Sequence, residues 1–424
     1  MKTQAALAGL LLGLAAQHLH AQGLSGQVSV LGTTFPNRPR TPELRSRVFA
    51  KNTTIIGPHV RFDVGGFAEG LLAGGEGADR AGVAEFDEAS VQLTMSRLDV
   101  LAGFTRAVWG RLDELQPSDV VNPLDFSKFF YESREAARMP VGLVRARLHL
   151  TDSTTIELVA VPRFRKARFD RLDEPTSPFN PSTLPLRVAV ERPSGSVWEQ
   201  MQGGARFSTS TGRVDWSVGA YHGFRPLQAY TLSYLASGLP AAPIVSILIS
   251  GTYPEYTMVS GDFETALSRW TFRGEAVYSD DKAIQARRSP VTASGRTVQA
   301  GFGADRSLAG FRVLGELIWH HAEIDTPSLP TDPLTGVAPV FERRSLTAVG
   351  IVERQFARQT RLIRGFGIYD GVNKNGIARA IAAISPRQGF WVEGTAVWFS
   401  GRRAGLLGSF IDDDFVSVRL IQHF

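Results

Sequence analysis

The densest cluster of chemically active side chains lies in one short segment of the chain, WGRLDELQPSDVVNPLDF, residues 109–126. Four carboxylates there supply fixed negative charge: Asp113, Glu114, Asp119 and Asp125. Two prolines restrict the backbone, and the Asn122-Pro123 step favours a turn. Such a segment can set a local electric field. What that field acts on depends on the elements that carry the segment.

Nucleophilic and metal chemistry have weaker support. No G-x-S-x-G motif is present, and the eight histidines form neither H-E-x-x-H nor a spacing typical of a triad. His320 and His321 are followed by Glu323 and Asp325, but consecutive residues on a strand point to opposite faces. The chain has no cysteine, which excludes disulfides and cysteine-based metal sites. We predict no enzyme activity, no cofactor and no metal site, with a surface hydrolase as the less favoured alternative.

The first residues indicate export. Lys2 is followed by the apolar run ALAGLLLGLAA and by a small residue, Ala21, that suits cleavage. The apolar run is too short to span a bilayer. We predict a signal peptide over residues 1–21 and a single mature domain over residues 22–424.

Strand-length runs alternate between apolar and polar residues with period two, which indicates β-strands with two different faces. In GFWVEGTAVWFSG, Val392, Ala396 and Trp398 fall on one face, while Glu393 and Thr395 fall on the other. A soluble sandwich would alternate in the same way, so the pattern alone leaves two fold classes open.

The spacing of the connections separates the two classes. Short and long connections alternate, as in outer-membrane barrels, whose short turns are periplasmic and whose long loops are extracellular. Tight turns are expected at residues 57–58, 96–97, 151–153, 211–212, 268–269, 306–307, 358–359 and 386–387. Long polar segments are expected near residues 35–43, 74–84, 109–139, 167–197, 225–252, 281–292, 323–342, 371–375 and 400–411. The prediction is an all-β fold, one antiparallel transmembrane β-barrel of about 18 strands, with 16 as the alternative, in the cell outer membrane.

The end of the chain and its tryptophans carry further signals. The last residues are FVSVRLIQHF, with Val418, Leu420 and Phe424 on one face. This ending resembles the assembly signal of Gram-negative outer-membrane proteins, which implies the barrel-assembly machinery as a partner.

Aromatic girdles at the two membrane interfaces are expected from tryptophans near predicted strand ends: Trp109, Trp270, Trp319, Trp391 and Trp398.

A cylinder of about 18 strands is too wide for side chains to fill, so the expected interior is an aqueous channel. The polar face includes Arg61, Asp63, Glu69, Arg145, Arg147, Glu157, Arg163, Arg165, Arg206, Asp215, Arg273, Glu275, Arg312, Glu316, Glu393 and Arg419. Both signs are present, so the net charge of +5 does not indicate the sign of a solute. No cluster of Lys and Arg interleaved with aromatic residues suggests nucleic acid as a partner. We predict a porin-like channel for passive diffusion of small solutes, constricted by an inward-folded loop at about residues 109–139.

Arginines in and beside this loop suggest two ways of holding it. They are Arg134, Arg138, Arg145, Arg147, Arg163 and Arg165. If the loop carboxylates face these arginines across the pore, the resulting transverse field would orient dipolar or anionic solutes. If the same groups pair with one another, they would instead pin the loop to the wall. The sequence supports both arrangements.

Residues 85–165 resemble a family of large Gram-negative outer-membrane barrels, porin-like and mostly of unassigned substrate. The resemblance rests on EFDEASVQLTM, LDVLAGFTRAVWGRLDELQPSDVVNPLDF, ESREAARMPVGLVRARLHL and IELVAVPRF, and above all on the arrangement WG…D…D..NP.D. It implies a barrel with a lumenal loop and says nothing of the cargo. By this likeness the residues that shape the loop are Trp109, Gly110, Asp113, Asp119, Asn122, Pro123 and Asp125.

A scaffold barrel is the main alternative to a channel. Its lumen would hold a partner chain, or its loops would bind a surface ligand. The partners expected of a channel are outer-membrane lipid and lipopolysaccharide, small solutes and the assembly machinery. A homotrimer is an alternative to a single barrel. No separate plug domain is expected, because LSGQVSVLGTT begins the first strand within a few residues of the leader.

Overall fold

The structure of the chain is a computed structural model. It describes residues 23–37, 42–73, 79–168, 189–239, 242–286, 289, 291–325, 338–403 and 407–424. The predicted signal peptide, residues 1–21, lies outside the described residues. None of the helices within these ranges has the length and apolar character that a membrane crossing requires.

Strands account for most of the described residues. Their bounds are β1 (Leu24–Thr34), β2 (Glu43–Ile56), β3 (Val60–Ala73), β4 (Asp79–Thr94), β5 (Leu98–Thr105), β6 (Val141–Thr151), β7 (Thr154–Val161), β8 (Ala189–Val190), β9 (Gln202–Thr211), β10 (Val214–Phe224), β11 (Ala229–Leu239), β12 (Ala242–Thr252), β13 (Glu255–Leu267), β14 (Trp270–Gln285), β15 (Thr292–Leu308), β16 (Phe311–Ile324), β17 (Arg344–Phe356), β18 (Arg361–Asp370), β19 (Asn375–Arg387), β20 (Phe390–Gly401) and β21 (Phe415–His423). Short helices lie in the connections at Phe126–Tyr131, Arg134–Ala137 and Val197–Gln200, with a 3-10 turn at Leu407–Phe410.

Eighteen of these strands form one closed antiparallel sheet. Strands β1–β7, β9, β10 and β13–β21 follow one another around the barrel in chain order. β21 pairs with β1 to close it, with Leu420 opposite Val30. Closure gives the backbone of every wall strand two hydrogen-bonding neighbours, which the hydrocarbon of a bilayer requires. The expected antiparallel barrel of 18 strands is confirmed, and the count of 16 is wrong.

Alternation along the strands places apolar side chains outside the barrel and charged side chains inside it. On β21, Val418 and Leu420 are 53% and 42% exposed, whereas Ser417 on the other face is buried. On β7, Leu158 is 54% exposed beside the buried Glu157. An outward apolar band around a closed barrel is the lipid-facing surface of a Gram-negative outer-membrane protein. The outer membrane is therefore the location of the folded chain.

Short turns join the strands at one rim of the barrel, and six of them overlap the predicted positions. The other two lie two or three residues farther along the chain. The β15–β16 turn is at residues 309–310, and the β19–β20 turn is at residues 388–389. Gly310 and Gly389 adopt φ values of +80° and +74° there, which side chains other than glycine rarely allow.

Two long connections form a small sheet outside the barrel wall. β11 and β12 form an antiparallel hairpin, and β12 also pairs in parallel with β8. The sequence predicted a long polar connection over residues 225–252; the connection joins β10 to β13 as expected, but its polar character is wrong. The two runs, AYTLSYLASGL and APIVSILISGT, contain no charged residue and many β-formers, so they pair with each other.

The tryptophans divide into two groups. Trp270, Trp319 and Trp398 are 38%, 42% and 50% exposed on the outer face, as expected of interface girdles. Trp109 contradicts the girdle prediction, because it is only 1% exposed and lies inside the barrel. Trp391 is on the lumen-facing side of β20 and is likewise outside the girdle. Proximity to a strand end does not decide which side of the wall a side chain occupies.

Candidate functional site

The lumenal loop, defined here as residues 106–140 between β5 and β6, begins by packing against the inner wall. Trp109 donates its indole N–H to the Glu157 carboxylate on β7 at 2.7 Å. The indole also meets the Tyr221 ring edge-on, with 6.0 Å between ring centroids. Gly204 on β9 leaves room for the indole, since a Cβ there would lie 2.8 Å from it. Trp109 therefore fixes the start of the loop to the wall.

Glu275 on β14 holds the next part of the loop. Its carboxylate accepts hydrogen bonds from the backbone N–H groups of Arg111 and Leu112 at 2.5 and 2.7 Å. It also accepts from the backbone N–H and the hydroxyl of Ser118, at 3.2 and 2.6 Å. Gly110 permits this close approach, because its φ is +93° and a Cβ there would lie 2.7 Å from the carboxylate.

Glu316 on β16 binds the tip of the loop, residues 113–115, in the same way. Its carboxylate accepts from the backbone N–H of Asp113 at 2.6 Å. Longer hydrogen bonds come from the N–H groups of Glu114 and Leu115, at 3.3 and 3.4 Å. A buried backbone N–H needs an acceptor, and a carboxylate is a strong one. The loop backbone is thus satisfied by the barrel wall.

Leu112 fits between these two glutamates. It is 1% exposed and belongs to an apolar cluster that includes Leu314 and Ile318 of β16. Gly301 and Gly303 of β15 make the space, because a Cβ on either would lie 2.5 or 2.9 Å from the Leu112 side chain. The wall is therefore shaped for this residue.

Ion pairs connect the tip of the loop to three wall strands. The Asp113 carboxylate accepts from Arg273 on β14 at 3.1 Å and from Arg312 on β16 at 3.0 Å. Arg364 on β18 donates to Glu114 at 2.7 Å. β18 lies across the barrel from β5 and β6, between which the loop starts. The loop therefore crosses the lumen.

Two other loop carboxylates pair with arginines of connecting segments. Asp119 accepts from Arg138 at 2.6 Å and lies 3.4 Å from Arg134, and all three side chains are buried. Asp125 is the N-cap residue of the helix Phe126–Tyr131, and its carboxylate lies 3.3 Å from Arg168. These contacts hold the second half of the loop to itself and to the segment that follows β7.

Asn122 joins the start of the loop to its end. Its side-chain oxygen accepts from the N–H of Ala107 at 2.9 Å, and its amide donates to the carbonyl of Met139 at 2.9 Å. The Pro123 carbonyl accepts from the N–H of Met139 at 2.8 Å. An amide suits this position, since it both donates and accepts.

The far end of the loop reaches the strands where the barrel closes. Tyr131 packs against Phe415 of β21, with 4.7 Å between ring centroids. Glu132 lies 3.5 Å from Arg419 of β21 and 3.9 Å from Arg47 of β2. The loop is therefore in contact with the wall on several sides of the barrel.

Two of the predicted wall arginines lie on the lumen side of β6 but do not meet the loop carboxylates. Arg147 pairs with Glu157 at 2.5 Å, and its side chain is 40% exposed. Arg145 has no carboxylate within 4 Å among the described residues. Glu157 connects Arg147 to the loop, because the same carboxylate accepts the indole N–H of Trp109.

The other two predicted arginines follow β7, outside the wall strands. Arg163 is exposed and makes no ion pair with a described residue. Arg165 donates to the carbonyl of Pro140 at 2.6 Å and to Glu85 at 3.1 Å. Burial is the largest influence on the pKa of Arg165 and lowers it, while Glu85 acts in the opposite direction. Among the described residues, neither arginine forms an ion pair with a loop carboxylate.

The partners of the loop were largely missed by sequence reasoning. The wall residues that hold its middle part include Arg273, Glu275, Arg312, Glu316 and Arg364. Alternation placed the first four on the inward face but gave no sign of what they touch. The described residues contain no group of three or more His, Cys, Asp or Glu that could hold a metal ion.

Solved structures of outer-membrane proteins share this architecture. OccAB1 of Acinetobacter baumannii superposes with a TM-score of 0.51 at 9% sequence identity, over 95% of this chain and 95% of that chain. OccAB3 of the same organism gives a TM-score of 0.50 at 8% identity, over 95% and 98%. The fold is that of a porin-like outer-membrane barrel. No family model and no curated protein matches the sequence, and identities this low carry the likeness no further than the fold.

Proposed function

We propose that the protein is a channel for passive diffusion of small solutes, constricted by the lumenal loop at about residues 109–139. The observation that carries the proposal is the attachment of the loop to Glu275 and Glu316 and its extension across the lumen to Arg364. A loop held by so many contacts keeps one conformation. The space left beside it would then have a fixed size, as selection by size requires.

The lining below the loop supports an aqueous path. Arg61, Lys51 and Arg147 are 48%, 30% and 40% exposed in their side chains on the lumen side. Glu264 and Glu353 are 36% and 26% exposed on the same side of their strands. Charged groups of both signs keep a lumen hydrated, so water and small polar solutes are the cargo that this lining suits.

The loop carboxylates act mainly as pins in this proposal. Asp113, Glu114 and Asp119 each lie within 3.4 Å of an arginine nitrogen. Paired charges produce a weaker field at a distance than separate charges do. Among the described residues, Arg145 has no carboxylate within 4 Å, and the Arg147 side chain is 40% exposed although it pairs with Glu157. These two arginines of β6 would act on a passing solute at the side of the lumen where the loop begins.

The WG…D…D..NP.D arrangement receives a structural role under this proposal. Trp109 and Gly110 would bring the chain off β5 and onto Glu275, while Asn122 and Pro123 would return it to β6. We propose that the signature specifies this course of the loop, and that residues 1–21 and Phe424 serve export and assembly. Lipopolysaccharide, the assembly machinery and a homotrimer remain proposals of the same kind.

Planar-bilayer recordings of the purified barrel test the function. A channel gives stepwise conductance that scales with salt concentration, and its reversal potential in a salt gradient gives the preferred ion sign. A barrel that inserts but never conducts would support the scaffold alternative, in which the lumen holds a partner chain.

A further inference from the structure

Four arginines lie at the periplasmic ends of neighbouring strands, next to the short turns. Arg306 is two residues from the end of β15, and Arg354 is two residues from the end of β17. Arg361 is the first residue of β18, and Arg387 is the last residue of β19. All four therefore lie at nearly the same height on one arc of the barrel. We call this set the arginine arc.

Register and alternation place the arginine arc on the lipid-facing side of the wall. Arg306 pairs across the β14–β15 ladder with Trp270, which is 38% exposed on the outer face. Arg354 is two positions after Val352 on β17, and Val352 is 47% exposed on the same face. Arg361 pairs across the β17–β18 ladder two residues from Arg354, with Phe356 as its partner. The arc thus faces the membrane and not the lumen.

The arginine arc has no counter-charge among the described residues. Asp305 and Glu353 are adjacent in sequence to two of these arginines but lie on the lumen side, where they pair with Arg312 at 3.7 and 3.9 Å. Within the described ranges, no carboxylate lies within 4 Å of any guanidinium group of the arc. Arg387 donates to the Gln422 side chain at 3.3 Å, which supplies no charge. Because arginine stays protonated, the arc can be neutralised only by an anion from outside these parts of the chain.

Aromatic rings hold three of these guanidinium groups against the wall. Each group lies 5.1 or 5.2 Å from the centroid of a ring at the same end of the strands: Arg306 over Trp270, Arg354 over Phe311 and Arg387 over Phe390. A ring attracts a cation to its face and leaves the N–H donors at the edge of the guanidinium available. The arc is therefore a row of cationic donors that are already positioned for an anion.

The height of the arginine arc matches the headgroups of the inner leaflet. Aromatic side chains on the outer face mark the edges of the apolar core, and Trp270 is one of them. Phe272 and Phe302 continue from Trp270 towards the middle of the wall as stacked rings, with 6.1 Å between successive centroids. A charged side chain is costly within the apolar core and favourable at its edge. A phospholipid of the inner leaflet would place its phosphate at the arc and its acyl chains beside these rings.

The opposite arc of the same rim has a different surface. Its outward positions nearest the turns are apolar and exposed by 58%, 41%, 48% and 43%: Ile56, Leu93, Met95 and Leu150. No arginine or lysine occupies an outward position at the periplasmic ends of β2–β7, all of which the structure describes. General interface anchors would be spread around the barrel. The concentration of cations on β15–β19 indicates a binding surface instead.

We propose that the arginine arc binds anionic phospholipids of the inner leaflet through their phosphate groups. Arginine pairs with phosphate through two parallel N–H donors, and the uncompensated charges add a general attraction to an anionic membrane surface. Lipopolysaccharide belongs to the outer leaflet, so it is not the partner at this rim. The surface faces lipid, so the proposal does not depend on the lumen conducting.

The test compares two double variants of the purified, folded barrel in neutral detergent. Arg306→Gln with Arg354→Gln removes two charges of the arc without breaking an ion pair between described residues. Arg97→Gln with Arg213→Gln removes two exposed charges from turns of the same rim outside the arc and is the control. The heat-dependent shift in gel mobility of intact barrels confirms that both variants fold. Native mass spectrometry measures the binding of phosphatidylglycerol, which is anionic, and of phosphatidylcholine, which has no net charge.

We expect the Arg306/Arg354 variant to bind phosphatidylglycerol about tenfold or more weakly than the wild type, from the attraction of each basic residue to an anionic lipid. Its binding of phosphatidylcholine should change much less, and the control variant should bind both lipids as the wild type does. Equal binding of phosphatidylglycerol by the wild type and the Arg306/Arg354 variant would overturn the proposal. An equal loss in the control variant would overturn it too, because binding would then follow net charge and not the arc. The same holds for an equal loss of both lipids, since the arginines would then contribute only packing.

Discussion

Arg364 on β18 donates to Glu114 of the lumenal loop at 2.7 Å, and the two residues are 250 positions apart in the chain. Glu114 is 5% exposed, so its carboxylate lies away from bulk water. The contact joins the tip of the loop to the wall across from its starting point. Together with Glu275 and Glu316 it attaches the loop to strands on both sides of the barrel.

The two partners of this pair should not be equivalent in mutation. Arg364→Gln leaves the buried Glu114 carboxylate without its charge partner, which costs about 3–5 kcal/mol where a buried pair is broken from one side. Glu114→Gln removes the buried charge itself, so it should cost less, and the double variant should recover part of the loss. Hydrogen exchange of the loop amides around Leu115 measures the effect. If Glu114→Gln speeds exchange of these amides more than Arg364→Gln does, then Glu114 is not a buried charge that depends on Arg364.

Gly110 should tolerate no side chain. Gly110→Ala places a Cβ against the Glu275 carboxylate and imposes a left-handed backbone, at a cost of about 1–2 kcal/mol for the backbone alone. Faster exchange of the Arg111 and Leu112 amides is the expected result. Gly142→Ala is the matched control, because nothing lies within 4 Å of its Cβ position. Equal exchange in the two variants would show that the turn at Gly110 does not hold the loop.

Much of the barrel was predictable because the signals are local. Period-two alternation, short turns and long connections identified 18 strands, and most turns fall where the sequence places them. The misplaced β15–β16 turn shows the limit. Arg306-Ser307 is as good a turn signal as the true turn at Ala309-Gly310, and only pairing with β16 selects between them.

The partners within the site were not predictable in this way. The sequence suggested arginines near the loop in the chain, such as Arg145 and Arg165, as partners for its carboxylates. The structure supplies Arg273, Arg312 and Arg364 instead, because a loop that crosses a barrel meets strands far away in sequence. Local patterns carry no information on such contacts. The pairing alternative for the loop carboxylates describes the observed contacts: Asp119 pairs with the predicted Arg134 and Arg138, whereas Asp113 and Glu114 pair with arginines that the sequence did not suggest.

Ion selectivity should depend on the two arginines of β6. The double variant Arg145→Gln with Arg147→Gln removes two positive charges from the lumen face of β6 and leaves Glu157 bonded to Trp109. The ion selectivity of the channel should therefore shift towards cations. Reversal potentials in a salt gradient report the shift. Arg358→Gln, on a turn at the periplasmic rim, is the control and should leave the reversal potential unchanged. If both variants behave as the wild type does, neither arginine lines the conducting path.

The last residue should matter for assembly. Phe424 exchanges backbone hydrogen bonds of 3.0 Å with Gly26 in both directions, and its ring lies over that glycine. Phe424→Ala keeps the backbone pairing and removes the ring, so slower barrel assembly in cells is expected if the ring is the signal. Phe424→Tyr retains an aromatic ring and should assemble normally. The fraction of folded barrel on unheated gels distinguishes the two. If Phe424→Ala assembles normally, the Phe424 ring is not part of the assembly signal.

Single-channel conductance of the variant Glu275→Ala with Glu316→Ala tests the constriction most directly. Each alanine leaves several loop N–H groups without an acceptor, at about 1–3 kcal/mol per buried group, so the loop should leave the wall. Glu393→Ala is the control, because this lumen-facing glutamate pairs with Arg419 of β21 at 3.9 Å and, among the described residues, forms no hydrogen bond or ion pair with the loop. The account predicts a larger or strongly fluctuating conductance in the double variant and a wild-type conductance in the control. A wild-type conductance in the double variant, with hydrogen exchange showing the loop released, would contradict it.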